Sequence, residues 1–335
     1  MPPHGSPQTR KPIRGSLIFW LRFLGVVAFV ILLLTLPRLS KEVALFHISN
    51  LRWVGLCVLL VILQLLLEAV IWQRLLAIQR IRQPYGKTFV AYLASQYLGL
   101  VTPGHVGEFL AAGYISMNTG LTMGYALSSV VMQKVLMWIT MAGFGLWGLP
   151  LFMHMPILGD VRWEIVKRSL IVLVALSAGI AVWVLSMRRL ARRWQKLSPW
   201  QIEMAEFWAG WRQLMGLRLL LPLAVAALSF SLLFLQLYAV LHALGIALPI
   251  VTVAQIAALS RIMGRVIPLS FLGFGMKEAI VIELLQQQGF ARPVGLAVTL
   301  LWLVGSQLLT LLLSGLCWWV KPLVIRRASP SAKRF

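Results

Sequence analysis

Runs of about 20 apolar residues recur along this chain of 335 residues. A run of that length forms a helix that crosses the roughly 30 Å hydrocarbon core of a bilayer. The composition agrees, because 60% of the residues are hydrophobic and only 12% are charged, whereas about a quarter of the residues in a soluble domain are charged. These features exclude a soluble enzyme of this size and predict a polytopic helical membrane protein.

Six of the apolar runs are uninterrupted and are predicted to cross the membrane fully. They cover residues 16–36, 53–72, 125–149, 169–185, 219–244 and 294–320. The first run is longer than the apolar core of a signal peptide, and no small-residue cleavage site follows it, so we interpret it as a retained anchor. The chain is then a single integral membrane domain, 1–335, with basic tails at 1–15 and 321–335.

Two further apolar regions, 88–116 and 251–286, are interrupted by proline and glycine. Proline and clustered glycine break helices, and a break at membrane depth persists only where protein or a polar cavity satisfies the freed backbone groups. The sequence therefore predicts a broken helical hairpin in each region. The predicted helix breaks are Pro103, Gly104, Gly107 and Pro268.

The two interrupted regions share an order of residues that indicates an internal duplication. Each has a glycine four residues before its proline, a glycine and then a glutamate after it, and a long span on either side. The repeat units are 51–150 and 217–320. Because one span, 169–185, separates them, the second unit begins on the opposite face of the membrane, and the repeats are inverted. Paired interrupted segments of this kind are typical of transport sites.

The distribution of lysine and arginine predicts how the interrupted regions enter the membrane. If each returns to the side it came from, both termini face the cytoplasm, and the cytoplasmic segments hold 19 Lys and Arg residues against 7 in the external segments. If each crossed once, the arginine-rich segment 188–193 would lie outside, against the positive-inside rule. Re-entry, or a double crossing, is therefore favoured. The predicted fold class is an all-α polytopic membrane protein with six full spans and two broken re-entrant helical hairpins arranged as an inverted repeat.

Several ionisable residues lie inside the apolar segments, where each costs at least about 2.5 kcal/mol and indicates a function or a buried partner. Glu108 and Glu278 follow the two breaks. They are candidates for proton coupling or gating, since desolvation favours the protonated form of a carboxyl group. Alternatively, each hydrogen bonds the opened backbone of its own hairpin. Lys134, in the next span, is either the partner of Glu108 or a contact to the substrate, and Glu68 is interpreted as structural.

A basic cluster at the second break is the candidate site for the head group of a lipid. Arg261 and Arg265 lie four residues apart and share a helix face, and Lys277 adds a third positive charge. Guanidinium groups bind phosphate oxygens in a bidentate manner, although pairing with Glu278 or Glu283 is the alternative. The other predicted head-group residues belong to the break itself and are Ser270, Gly273 and Gly275. The five histidines are scattered and only one aspartate is present, so neither a metal site nor a cofactor is predicted.

These motifs resemble those of the flippase-like integral membrane family, also known as the transmembrane region of lysylphosphatidylglycerol synthases. The resemblance covers roughly residues 51–320 and is carried by Pro103-Gly104-His105-Val106-Gly107-Glu108-Phe109-Leu110 and by the segment from Pro268 to Glu278, which has serine, glycine-x-glycine and a basic residue before glutamate. It implies a membrane region that moves lipids between leaflets. The soluble aminoacyl-transfer domain from which the synthases take their name is not expected here, since only 15 residues follow the last span.

The sequence and the resemblance together predict a transporter or flippase, not an enzyme, that moves an anionic lipid or lipid-linked precursor between the leaflets of the cytoplasmic membrane. Two alternatives stay open: an accessory membrane subunit of a lipid-modifying or glycan-assembly pathway, and a membrane-embedded lipid transferase. The net charge of +22 suits contact with anionic lipids rather than nucleic acid. A second copy of the chain or a pathway enzyme is also compatible as a partner.

Overall fold

The structure is a computed structural model that describes residues 50–153, 199–266 and 276–320. Only the backbone is described at 103–106, 149–153, 199, 263–266 and 276. The predicted spans 16–36 and 169–185, both basic tails, and the segment from Pro268 to Gly275 lie outside the described residues. Four of the six predicted spans and the whole of the first interrupted region lie inside them.

Every regular element among the described residues is helical, which confirms the all-α class for this part of the chain. The α-helices are α1 (Leu51–Ile78), α2 (Tyr85–Val101), α3 (Ala111–Thr119), α4 (Met123–Met153), α5 (Pro199–Leu214), α6 (Leu220–Ala243), α7 (Ile250–Val266), α8 (Met276–Gln287), α9 (Arg292–Trp302) and α10 (Leu309–Val320). A 3-10 segment, Pro103–Leu110, joins α2 to α3, and a short 3-10 turn, Leu217–Leu219, precedes α6. A π-helical turn, Leu303–Leu308, joins α9 to α10.

The described residues contain four helical segments that are long and apolar enough to cross a membrane. Each segment corresponds to one of the predicted spans. Their outer surfaces are apolar, as contact with lipid requires: the side chains of Leu59, Leu146 and Leu316 are at least 60% exposed. The chain is therefore a multi-pass membrane protein. The four segments are Leu51–Ile78, Met123–Gly148, Leu217–Ala243 and Arg292–Val320.

α1 and α6 pack along each other in opposite directions. Near the start of α1, Trp53 meets Tyr238 and His242 from the end of α6, with ring centroids 6.2 and 4.9 Å apart. Near the end of α1, Leu75 shares an apolar cluster with Ala226 from the first turns of α6. We call the end of the bundle where α1 begins end A, and the end where α1 finishes and α6 begins end B.

The first interrupted region leaves end B and returns to it. Gln79 follows α1 directly, and its side-chain amide donates to the Ser128 hydroxyl (2.6 Å) near the start of α4. The Tyr125 hydroxyl, one turn earlier in α4, donates to the Gln79 carbonyl (3.3 Å). The chain therefore leaves end B with α2 and, after the 3-10 segment, has returned to end B when α3 finishes. α4 then runs from end B towards end A.

α5 packs across the start of α4. The Glu203 carboxylate accepts a hydrogen bond from the Gly124 backbone N–H. Gly210 lies so close to α4 that a Cβ at this position would meet the Ser128 hydroxyl. These contacts hold the first turns of α4 at end B.

The second interrupted region begins at end A. α6 ends there, and α7 starts after a short loop. The last span also starts at end A, because Gly305 lies against Cys57 in the first third of α1, while Trp318 near the end of α10 stacks with Tyr97 of α2 at 6.3 Å between ring centroids. α8 packs against both α7 and α9.

The span that follows each interrupted region packs against the first helix of the other interrupted region. α4, which follows the first interrupted region, packs against α7 of the second, and α10, which ends the second, packs against α2 of the first. Glycines allow the close approach of α4 to α7, since a Cβ on Gly145 would overlap Ile262. The main apolar core lies around α6, α7, α8 and α9, where Leu237, Ile256 and Leu284 are completely buried.

Candidate functional site

A single hydroxyl group satisfies the backbone that is opened at the first break. The Thr102 hydroxyl donates to the Leu98 carbonyl (2.7 Å) and accepts from the Gly107 N–H (2.7 Å). The 3-10 segment then starts with Pro103 and Gly104, and proline fits this first turn because it needs no N–H donor there. A break inside a membrane requires such internal partners, and Thr102 provides two of them.

Two glycines let the 3-10 segment lie directly on α2. A Cβ on Gly107 would collide with the backbone carbonyl of Leu98, and a Cβ on Gly99 would collide with the side chain of Glu108. The sequence pattern identified Gly99 only as a marker of the repeat. In the structure, its missing side chain is what gives the Glu108 carboxylate its place on α2.

Glu108 and Lys134 form an ion pair between the 3-10 segment and α4. The Lys134 ammonium donates to Oε2 of Glu108, and the Glu108 residue is only 6% exposed. Two charges in a low-dielectric interior offset their lost hydration only when they are closely paired. The structure thus supports the interpretation of Lys134 as the partner of Glu108. A role of this pair in proton coupling or gating stays a prediction.

A buried lysine follows the second predicted break in the sequence. Lys277, in the first turn of α8, is 5% exposed, and its ammonium lies 4.1 Å from the ring centroid of Trp302. It also lies 3.9 Å from Oε1 of Glu278. A desolvated cation over an indole ring gains about 2 kcal/mol. Arg261 of α7, another predicted head-group residue, is close enough for its positive charge to act on Lys277.

Trp302 is the last residue of α9, directly before the π-helical turn. Single π-turns inside α-helices occur frequently at functional sites. The backbone carbonyl of Trp302 accepts from the Ser306 hydroxyl (2.6 Å) within this turn. Its indole N–H is buried and, within the described residues, makes no hydrogen bond. The Trp302 side chain therefore holds Lys277 with its ring face, and its indole N–H has no acceptor among the described residues.

The remaining predicted head-group residues have no described side chains. Arg265 lies in the last turn of α7, where only the backbone is described, and Ser270, Gly273 and Gly275 lie outside the described residues together with Pro268. The Glu108–Lys134 pair connects the 3-10 segment with α4, whereas Lys277 connects α8 with α9.

Across the described ranges, no three His, Cys, Asp or Glu side chains come close enough to hold a metal ion.

The profile of one protein family, the lysylphosphatidylglycerol synthase TM region, matches residues 15–314. The chain belongs to this family. The resemblance found in the sequence is confirmed, and membership links the protein to the lipid metabolism of membranes. No curated protein and no solved structure matches the chain.

In this member of the lysylphosphatidylglycerol synthase TM family, Glu68 lies at the centre of a hydrogen-bond network that the sequence analysis missed. Glu68 is 7% exposed and accepts from the Tyr92 hydroxyl and from the Gln64 amide (2.9 Å). Gln236 donates to Gln64 (2.7 Å), and Gln133 donates to the Glu68 carbonyl (2.9 Å). The network connects α1, α2, α4 and α6. Glutamines inside three apolar spans were the available signal, since polar side chains at depth seek partners on other helices.

Proposed function

We propose that the protein is a transporter or flippase that moves an anionic lipid or lipid-linked precursor between the leaflets of the cytoplasmic membrane. One observation carries this proposal. Two interrupted helical regions start from opposite ends of the bundle. A lysine that is partly buried (Lys134) or buried (Lys277) lies beside each break. A chain that served only as a membrane anchor would have no need of these charges, because each one is costly in lipid.

The exchange of partners between spans supports an inverted repeat of units 51–150 and 217–320. A pseudo-two-fold axis in the membrane plane would exchange α1 with α6, α2 with α7, and α4 with the α9–α10 span. The contacts of α1 with α6, α4 with α7 and α10 with α2 follow this exchange. Inverted repeats around interrupted helices give alternating access to a site near the bilayer midplane. The six-span topology with both termini in the cytoplasm belongs to the same proposal.

The head group binds at the second break in this proposal. Lys277 and Arg261 neutralise the phosphate, and the Trp302 N–H donates to one of its oxygens. Arg265, Ser270, Gly273 and Gly275 complete the site, and the N-terminus of α8 favours an anion in the same place. Glu108 and Glu278 couple the movement to protons.

The proposal is tested by measuring leaflet exchange of a fluorescent phosphatidylglycerol in vesicles that contain the purified protein. Lys277→Gln removes the charge but keeps a chain of similar length, and exchange should slow roughly tenfold or more, since a hydrogen bond to a charged group contributes about 1.5–3 kcal/mol. Lys87→Gln is the control, because Lys87 is exposed at the start of α2 and the same change there should leave exchange unaltered.

Three outcomes would contradict the proposal in different ways. Exchange no faster than in protein-free vesicles would remove the transport function. Equal exchange of phosphatidylglycerol and zwitterionic phosphatidylcholine would remove the anionic head group. A change in the mass of the lipid after incubation with the protein would identify a transferase instead.

A further inference from the structure

An apolar groove of 690 Å³ lies between α4 and α6. Its α4 wall is formed by Thr140, Gly143, Phe144 and Trp147, and its α6 wall includes Ala227 and Ser231. The α4 residues follow the i, i+3, i+4, i+7 spacing of a single helix face. The groove therefore lies between two facing helix surfaces, and both helices belong to membrane spans.

The groove offers almost nothing to a polar ligand. Its two hydroxyl groups donate to their own helices, Thr140 to the Leu136 carbonyl (2.9 Å) and Ser231 to the Ala227 carbonyl (3.0 Å). The Phe144 ring is fixed by stacking on Phe230 at 5.4 Å between ring centroids. A nonpolar chain is the ligand that such walls accept without leaving a polar group unpaired.

Helix α7 carries residues of both the groove and the proposed head-group site. Ala254 of α7 lines the groove, and Arg261 follows it seven residues later in the same helix. Seven residues are two helical turns, so the two side chains share a face of α7 about 10 Å apart. An amphipathic molecule with an anionic group at Arg261 would therefore place its apolar part towards the groove.

We infer that this groove binds one acyl chain of an anionic phospholipid while the head group occupies the site at Arg261 and Lys277; the inference rests on the proposed function. The volume fits one chain. A methylene group fills roughly the 30 Å³ that a water molecule takes up in the liquid, so 690 Å³ has room for a single acyl chain. The groove selects and orients the lipid rather than driving its binding, because an acyl chain gains no hydrophobic free energy on leaving the bilayer.

The test is photocrosslinking of a phosphatidylglycerol that carries a diazirine on one acyl chain, in phosphatidylcholine vesicles that contain the full chain. Labelling should be concentrated on the groove faces of α4 and α6, above the labelling of Leu59, a lipid-facing residue of α1 that is 60% exposed. The same diazirine on phosphatidylcholine should label the groove less. Equal labelling of the groove and of Leu59, or by both lipids, would overturn the inference.

A substitution that fills the groove gives the second test. A Cβ on Gly143 would meet no atom within 4 Å, so Gly143→Leu should fold normally and occupy the groove. Crosslinking there should fall roughly fivefold or more, since a leucine side chain displaces tens of carbon contacts. Gly55→Leu is the matched control, because Gly55 also has free space around its Cβ position and is exposed on α1.

The two proposals fail separately, since crosslinking measures binding and needs no transport. Groove labelling that is abolished by Gly143→Leu, in a protein that exchanges no lipid, would keep the acyl-chain site and remove the flippase function. Unchanged labelling of α4 and α6 in Gly143→Leu would show that the lipid label reaches these helices without a chain in the groove, and would overturn the inference.

Discussion

Glu108→Gln should lower the free energy of unfolding by about 3 kcal/mol or more, the effect of removing one partner from a buried ion pair. The substitution leaves the Lys134 ammonium in the interior with a neutral amide in place of its carboxylate. The side chain of Lys134 is 21% exposed and that of Glu108 is 8% exposed, so water replaces little of the lost interaction. Lys134→Met should have a similar effect, because it removes the ammonium group that neutralises the buried Glu108 carboxylate.

The double variant Glu108→Met, Lys134→Met is the decisive comparison. Replacing both charges with apolar side chains of similar length should return the stability to within about 1 kcal/mol of the wild type, because no buried charge remains unpaired. Thermal unfolding in detergent gives the stability of the two single variants and of the double variant. Lys87→Met is the surface control. Single variants that are as stable as the double variant would contradict the ion pair.

The same double variant separates the structural role of the pair from proton coupling. If Glu108 carries a proton during transport, the double variant should be folded but should lose the pH dependence of lipid exchange. If the pair only fixes the hairpin, exchange should keep its pH dependence. The double variant must be stable enough for reconstitution, which the thermal measurement establishes first.

Gly107→Ala should destabilise the protein by about 2 kcal/mol, within the range typical of overpacked sites. The added methyl group would collide with the Leu98 carbonyl and would crowd the Thr102 hydroxyl, which are the atoms that close the first break. Backbone atoms cannot move aside as the end of a flexible side chain can, so the 3-10 segment has to shift. That shift would also move Glu108 away from Lys134.

Gly86→Ala provides the matched control for this glycine. Gly86 lies in the first turns of α2, where a Cβ would meet no atom within 4 Å, and alanine there should change the stability by no more than about 0.5 kcal/mol or should improve it. Thermal unfolding of the two variants in the same detergent gives the comparison. Equal stability of Gly107→Ala and Gly86→Ala would contradict the close contact between the 3-10 segment and α2.

The sequence predicted the spans well because crossing a membrane depends on the apolar character of consecutive residues. The four spans inside the described part of the chain were found to within a few residues. It also located the first break, since Pro103 and the glycines around it act on the backbone locally. The family could be recognised for a similar reason, because its motifs are short continuous segments.

The partners of the buried charges could not be decided in this way. Lys134 had two interpretations of equal standing, and only the position of α4 against the 3-10 segment supported its pairing with Glu108. The contact of Trp302 with Lys277 joins two different helices. The Glu68 network includes a hydrogen bond between Gln64 and Gln236, residues far apart in the chain.

The sequence by itself determined that the chain is a helical membrane protein, where its spans lie and where its helices break, because each of these properties is set by neighbouring residues. The tertiary structure alone decided which charges meet, which glycines permit close contact and where a groove opens between α4 and α6. Those features depend on the rotation and separation of packed helices, and a shift of a single residue in their register would replace one set of contacts with another.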